Sequence, residues 1–348
     1  MNEITITRFH PRKAYPKDWL QYHIFRKERH EEAEPDRSLL PDSEIEETKK
    51  KEHPFGDIYE WVARGDGVII ANAVTFIQRP YTPGYTERAK YLGFYCEVLS
   101  GWRRQGIGKQ MLGKIYELMC AHGKALLTVS SDEMDGHGFL KHIGASERST
   151  SIQSRVALDQ VAWDSILDWE NVALKACPGG RFVTFASRIP EDQLASFLPI
   201  VGNLMEDMPL DELDHPPIVL TVEEYHEWYH QLNRLGGANP FIFLCDIDGS
   251  ICGATATDWP SRSESEAMSY MTAVRKDLRG RGIAKGLKAA MLRHLKQCHP
   301  TITHVGTFNA RSNHAMLQIN RALGFAAVRD LGTYQISIDK IGSYLNAR

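Results

Sequence analysis

Arg103-Arg104-Gln105-Gly106-Ile107-Gly108 follows an apolar run and precedes a helix-like run, and Arg279-Gly280-Arg281-Gly282-Ile283-Ala284 does the same further along. Both read R-x-x-G-x-G/A. The glycines carry little bulk, so the backbone N–H groups opening the next helix can converge on an anion, helped by the helix dipole. A pyrophosphate suits that arrangement. Chance supplies such a pattern about 0.3 times in a chain of this size, so two copies in matching settings mark an internal repeat. Gly106 and Gly282 lie 176 positions apart, and Ile143-Gly144-Ala145 and Leu323-Gly324-Phe325 are displaced by 180. The sequence is built twice.

The 348 residues suffice for two domains with separate cores. The repeat sets their expected bounds at 1–160 and 181–348, with a linking helix and the break Pro178-Gly179-Gly180 in 161–180. Apolar residues make up 43% and charged residues 24%, and no apolar run nears the ~20 residues a bilayer span needs. Met1-Asn2-Glu3-Ile4-Thr5-Ile6-Thr7 lacks the basic and apolar regions of a secretory signal, so a cytoplasmic location is expected. The six cysteines (Cys96, Cys120, Cys177, Cys245, Cys252, Cys298) are scattered, without C-x-x-C pairing, and read as reduced core thiols. A net charge of -3 disfavours general nucleic-acid binding. His226 and His230 stand at i and i+4 among carboxylates, and a solvated helix face accounts for them; no metal is expected.

The first half opens with the alternation Ile4 to Phe9, then a charged, helical region from Lys17 to Lys51 broken by Pro35 and Pro41. Strands from Tyr59 to Arg64 and Gly67 to Gln78 flank the hairpin signal Gly65-Asp66-Gly67, and a third, Tyr91 to Leu99, leads into the first glycine turn. A helix with Ile107, Met111, Leu112, Ile115, Leu118 and Met119 on one face follows, then a strand from Ala125 to Val129, a short helix over 132–142 and a closing strand from Ser151 to Leu158. The second half retraces this order after a linking helix around Ala162 to Leu174. It has a strand at Phe182 to Phe185, helices over 191–235, a hairpin across Asp248-Gly249, a strand from Met268 to Val274, the glycine turn, a helix from Ile283 to Lys296, a strand from Thr303 to Phe308 and a helix from Asn313 to Leu323.

Each half resembles the GNAT acyltransferase fold, and the pair resembles the tandem GNAT proteins, a group that includes mycothiol synthase. The likeness is carried by the two turns, by Thr272-Ala273-Val274 before the second turn, and by Asn309-Ala310-Arg311-Ser312-Asn313-His314-Ala315-Met316 after it. It implies an α/β (α+β) class with two tandem GNAT domains, each a mixed, mostly antiparallel central sheet flanked by helices. It also implies acetyl-CoA as acyl donor and a small-molecule primary amine as acceptor, in a monomer or homodimer. By the same resemblance Val274 pairs with the pantetheine arm, Arg279, Gly280, Arg281, Gly282, Ile283 and Ala284 hold the pyrophosphate, and Asn309 and Asn313 lie near the thiol. Val98 and Arg103 to Gly108 are the counterparts in the first half, where Ser130 to Asp135 replaces the asparagine-bearing segment.

Amine acetylation needs a base, because the acceptor is mostly protonated at neutral pH, and an N–H to stabilise the developing oxyanion. Glu97, just before Val98, is the candidate base of the first half; a solvent-facing edge position is its plain alternative. The matching position in the second half is Ala273, so Glu266, on the strand face shared by Thr272, Tyr270 and Met268, is the nearest carboxylate. The tyrosine that often serves the family as general acid is replaced by Leu140 and Asn320, leaving Tyr334 on the expected closing strand as a substitute or as a packed strand tyrosine. A thiolate, with a conjugate acid near pKa ~8.5, can leave unaided. Glu206, Asp207, Asp211, Glu212 and Asp214, with the acidic stretch Glu28 to Glu47, are either a rim for a cationic acceptor or ordinary surface charge. A non-enzymatic CoA-binding sensor and a transferase using charged tRNA are the rival functions, and either half can be the working one.

Overall fold

In the computed structural model, residues 3–35, 38–234, 236–261 and 265–347 are described. Leu235, the expected end of the helical stretch, lies outside them, as do the outer domain bounds Met1 and Arg348. The class is α/β with mostly antiparallel sheets flanked by helices. The chain divides into two compact units: Met1–Arg148 with Leu213–Pro216 and Gly332–Arg348, and Ser149–Glu212 with Pro217–Leu331. The repeat and the units therefore do not coincide along the sequence.

The first unit contains β1 (Ile4–Arg8), α1 (Pro16–Ala33), α2 (Asp42–Lys50), β2 (Gly56–Gly65), β3 (Val68–Gln78), α3 (Tyr85–Arg88), β4 (Tyr91–Gly93), β5 (Tyr95–Val98), α4 (Ile107–Ala121), β6 (Leu126–Ser131) and α5 (Met134–His142), and then the start of β7 (Ser146–Ala157). β1, β2, β3 and β5 form one antiparallel sheet. Its β2–β3 hairpin turns at Asp66 (φ 52°) and Gly67 (φ 83°), the left-handed pair a two-residue turn requires. The expected strand Tyr91 to Leu99 is interrupted at Phe94, whose N–H reaches the Thr128 carbonyl (3.2 Å), while Thr75 Oγ1 donates to the Gly93 carbonyl (2.6 Å). β4 thus pairs parallel with β6 and β5 turns away to pair with β3. Ile107, Met111, Leu112, Ile115 and Met119 of α4 are fully buried against β2, β3 and β6, as their helical spacing predicts. Phe9, Trp19, Tyr22 and Phe25 fill a smaller core under α1.

The second unit holds the rest of β7, α6 (Trp163–Ala176), β8 (Arg181–Phe185), α7 (Leu194–Glu206), α8 (Val222–Arg234), β9 (Gly236–Ala238), β10 (Phe241–Cys245), β11 (Ile251–Ser261), β12 (Glu266–Val274), α9 (Ile283–Cys298), β13 (His304–Ala310), α10 (His314–Ala322) and the start of β14 (Ala326–Ser337). β8, β10, β11 and β12 are antiparallel neighbours, and β12 is parallel to β13. α6, expected as a linker, packs on α9 inside this unit with Ile166 and Ala173 in the core. α7 and α8 lie over a second core built on Phe241, Phe243 and Met271.

The closing strands depart from the sequence expectation. Ser151 to Ala157 of β7, expected to close the first half, pair with β13 of the second unit. Gly332 to Ser337 of β14 pair with β6 of the first unit, placing Tyr334 opposite Val129. The final helix α11 (Ile338–Asn346), beyond the elements expected from the sequence, buries Ile341 in the first unit's core. Its apolar spacing, Ile338, Ile341 and Leu345, is the signal that was available.

Candidate active site

In the second unit, β12 and β13 are paired only at Glu266–His304, Ala267–Val305 and Met268–Gly306. Both strands continue, to Val274 and Ala310, so they part beyond that point. Thr307 Oγ1 donates to the Ser269 carbonyl at 2.8 Å and fixes the vertex. The Arg275 N–H is used by Cys252 of β11 (3.0 Å), so by backbone alternation the peptide groups of Val274 and Thr272 face the gap. Gly280 (φ 77°) and Gly282 (φ 85°) then turn the chain into α9, which starts with no side-chain cap. The first-turn N–H groups, which a helix cannot satisfy internally, are therefore not taken by a capping side chain, a setting that favours an anion.

The first unit copies this backbone. β4 and β6 pair through Gly93–Thr128 before β5 turns away, and Arg104 (φ 64°) and Gly106 (φ 80°) occupy the matching left-handed positions. The first arginine of each turn folds back as a clasp. Arg103 Nε donates to the Val98 carbonyl (3.1 Å), and Arg279 Nε donates to the Val274 carbonyl (3.0 Å). What the turns offer an anion is backbone N–H, since Arg279 is further held by Asp207 (3.4 Å) and Arg281 donates to the Asp277 carbonyl (3.2 Å). Gln105 donates to the Gly101 carbonyl (3.5 Å), and Ile107 and Ile283 are buried in the cores. Gly108 lies against the Phe139 ring, and Ala284 packs on the second unit's core.

The two gaps differ in what lines them. In the first unit Glu133, the residue before α5, ion-pairs with Arg29 of α1 and with Arg103 (2.7 Å). Arg29 also reaches Glu97 at 3.3 Å and Glu32 at 3.2 Å, and Arg103 reaches Asp135 at 3.2 Å. Glu32 in turn accepts from the N–H and hydroxyl of Ser100 (2.9 and 2.7 Å). Burial lowers the Arg29 pKa, and the bond to Glu133 with the charges of Glu97 and Glu32 more than reverses that, leaving it raised. A chain of ion pairs thus runs from the end of β5 to the start of α5. In the second unit the matching residue is Asn313, whose Oδ1 caps its own helix by accepting from the Met316 N–H (3.2 Å). Asn309 accepts from Asn320 Nδ2 at 2.7 Å.

The three candidate catalytic residues fall in different settings. Glu97 is opposite Asn72 on β3 and is held by Arg29. Glu266 lies on the closed side of the vertex, paired with Arg155 (3.4 Å), its carboxylate seated over Gly306. Tyr334 belongs to the first unit and not to the half of the sequence that contains it. It is 1% exposed, donates to Glu147 (3.1 Å) and meets His137 Nδ1 (2.9 Å). Burial, reinforced by Glu147, pushes its pKa up to about 12, far from that of a group ready to protonate a thiolate.

Four carboxylates of the second acidic cluster have partners within the protein. Glu206 accepts from the Ile218 N–H (2.8 Å), Asp207 binds Lys276 (2.6 Å) and Asp211 accepts from Ser149 (2.8 Å). Asp214 accepts from Tyr91 (2.6 Å) and Lys90 (2.9 Å), which hold its carboxyl below the usual range. Among the described residues no group of three or more His, Cys, Asp and Glu side chains could hold a metal, and no helix is long and apolar enough to cross a membrane. Arg29 and Glu133 had no sequence signal, because the partners that tie them across the gap, Glu97 and Glu133 for Arg29 and Arg103 for Glu133, are distant in the sequence.

This splayed pair of strands, glycine turn and uncapped helix, present twice, define a tandem GNAT fold. Residues 205–325, which include the second gap and turn, match the Acetyltransferase (GNAT) family. Over 97% of its length the chain resembles a tandem GNAT protein from the clavulanic acid biosynthesis pathway, with a TM-score of 0.70, 18% identity and 99% of that chain covered. A GCN5-related N-acetyltransferase from Sphaerobacter thermophilus is similar with a TM-score of 0.64 and 15% identity, 96% of each chain being covered. A putative acetyltransferase from Pyrococcus horikoshii has a TM-score of 0.52 and 11% identity, with 96% of this chain and 89% of that one covered. No curated protein matches the sequence. Family and fold together support acyl transfer from an acyl-CoA donor.

Proposed function

We propose that the protein moves the acetyl group of acetyl-CoA to a primary amine of a small molecule, with the donor held by the second unit. The carrying observation is the gap that opens where β12 and β13 stop pairing with each other, with an uncapped α9 beside it. The first unit's equivalent gap is bridged by Arg29, Glu97, Glu133 and Arg103. Acetyl is taken as the acyl group by analogy with the tandem GNAT protein of the clavulanic acid pathway, whose structure is that of the protein without AcCoA.

In this reading the N–H groups of residues 280–284 hold the pyrophosphate, and the peptide edges of Thr272 and Val274 align the pantetheine arm. Bound there, acetyl-CoA supplies an acyl group activated as a thioester. An N–H on the Thr272 edge stabilises negative charge as it develops on the acyl oxygen. Glu266, the nearest carboxylate on β12 although paired with Arg155 at the closed end of the vertex, is the group proposed to take the ammonium proton through water. Glu97 is committed to Arg29, and Tyr334 to Glu147 and His137.

The test is release of free CoA thiol from acetyl-CoA across a panel of primary amines, with an alcohol panel as control. Turnover only with amines supports the reading. Tight acetyl-CoA binding with no turnover on any amine favours a CoA-binding sensor, the alternative suggested by the commitment of Glu97 and Tyr334 to internal partners.

A further inference from the structure

Asn320 stands on the buried face of α10 among Met316, Leu317 and Ile319 and is 1% exposed. Its Nδ2 donates to Asn309 Oδ1 at 2.7 Å, and its own Oδ1 is buried with no hydrogen-bond partner. Leaving such an acceptor unmet costs about 1–3 kcal/mol. The internal repeat shows the apolar solution to the same position, because the first unit has Leu140 there, fully packed in its core. At that same displacement of 180 the strand residue matching Asn309 is Val129, which packs against the first unit's core. This half-satisfied amide pair lies in the second unit, where the uncharged Asn313 stands in place of the ion-paired Glu133. Asn309 lies on β13 beyond the vertex at Thr307, on the part that has left β12.

We propose that Asn320 is a positioning residue of the acyl-CoA site, an inference that rests on the donor reading above. Its Nδ2 fixes the amide plane of Asn309, which leaves Asn309 Nδ2 as the free donor at the gap. Its Oδ1 is the acceptor for an amide N–H of the pantetheine arm. The cost of a buried, unmet acceptor is then removed when the arm binds.

The experiment is calorimetric binding of acetyl-CoA and of adenosine 3′,5′-bisphosphate, which lacks the pantetheine arm, to wild type, Asn320→Leu and Asn320→Asp. Asn320→Leu should fold with unchanged or higher Tm, since it installs the first unit's residue. It should bind acetyl-CoA about 10-fold more weakly and the bisphosphate as wild type does. Asn320→Asp, which keeps acceptor oxygens, should recover part of the loss. Equal acetyl-CoA affinity in wild type and Asn320→Leu, or an equal loss for both ligands, overturns the proposal. If wild type binds neither ligand, the donor reading falls and the role of Asn320 falls with it.

Discussion

Arg279 donates its Nε to the carbonyl of Val274 at 3.0 Å, pinning the glycine turn to the end of the strand that feeds it. Arg103 does the same to Val98 at 3.1 Å. The arginine of the repeated pattern is therefore a structural clasp, and the chemistry of the turn lies in the backbone that the clasp holds in place. This explains how the pattern survives in both units although their gaps are lined so differently.

One position of the clasped turn is strained in the first unit only. Arg104 sits at φ 64° where its counterpart Gly280 has φ 77°. An L-residue there costs about 1 kcal/mol, offset in part by the greater unfolded-state freedom of glycine. Arg104→Gly should raise stability by roughly 0.5 kcal/mol, measured by chemical denaturation. A loss of stability would mean that the arginine side chain contributes more than its backbone costs.

Lys288 is buried at 4% exposure, with its Nζ 5.2 Å from the Phe325 ring centre, and no carboxylate pairs with it among the described residues. Burial pushes its pKa down to about 7 from 10.5. Between those values the unfolded chain holds a proton the folded one lacks, so stability rises with pH, by up to about 1.4 kcal/mol per unit. The penalty is complete below the folded value. Lys288→Met should flatten the rise between pH 7 and 10 and raise Tm at pH 7 by roughly 5 °C. An unchanged pH dependence would show that the ammonium group is solvated. His294 and His299, both lowered by burial from 6.5, add an acid-side loss that begins as pH falls below that value.

Gly306 has Glu266 above it: a Cβ there would lie 2.7 Å from Glu266 Oε1 and 2.9 Å from Met268 Cε. Both are ends of flexible side chains, so Gly306→Ala should displace the carboxylate and change stability by less than about 1 kcal/mol. If Glu266 takes the acceptor's proton, Gly306→Ala and Glu266→Gln both lower kcat/KM, the latter by about 100-fold. Both should also move or remove the acid limb of the pH profile. An unchanged profile in both variants removes Glu266 from the reaction.

Glu133 connects both sides of the first gap through Arg29 and Arg103. Glu133→Asn, carrying the residue type of Asn313, combined with Arg29→Gln should free that gap. Acetyl-CoA sites counted by calorimetry should then rise from one towards two. No second site would mean that something other than the ion pairs closes it.

The repeat, the turns and most elements were legible because local spacing encodes them: period-two strands, the α4 and α9 apolar faces, and the Asp66-Gly67 hairpin. The exchanged closing strands were not. β7 and β14 carry the same kind of pattern, and nothing local states which sheet edge each one meets, so Tyr334 was read into the wrong unit. The site was half legible for the same reason. Glycines announce the turns, whereas the Arg29–Glu133 pair and the Asn309–Asn320 contact exist only after folding.

A single donor site, in the second unit, is what separates the two halves in this reading. Calorimetric titration of acetyl-CoA into wild type, Gly106→Glu and Gly282→Glu tests it most directly. Thermal melts of each variant are needed alongside, because both glycines hold a positive φ that strains any side chain, and a Cβ on Gly282 would in addition meet Val172 Cγ1 at 2.7 Å. One site per chain is expected, retained in Gly106→Glu and lost in a folded Gly282→Glu. Two sites in wild type, or a site lost with Gly106→Glu and kept with Gly282→Glu, would contradict it.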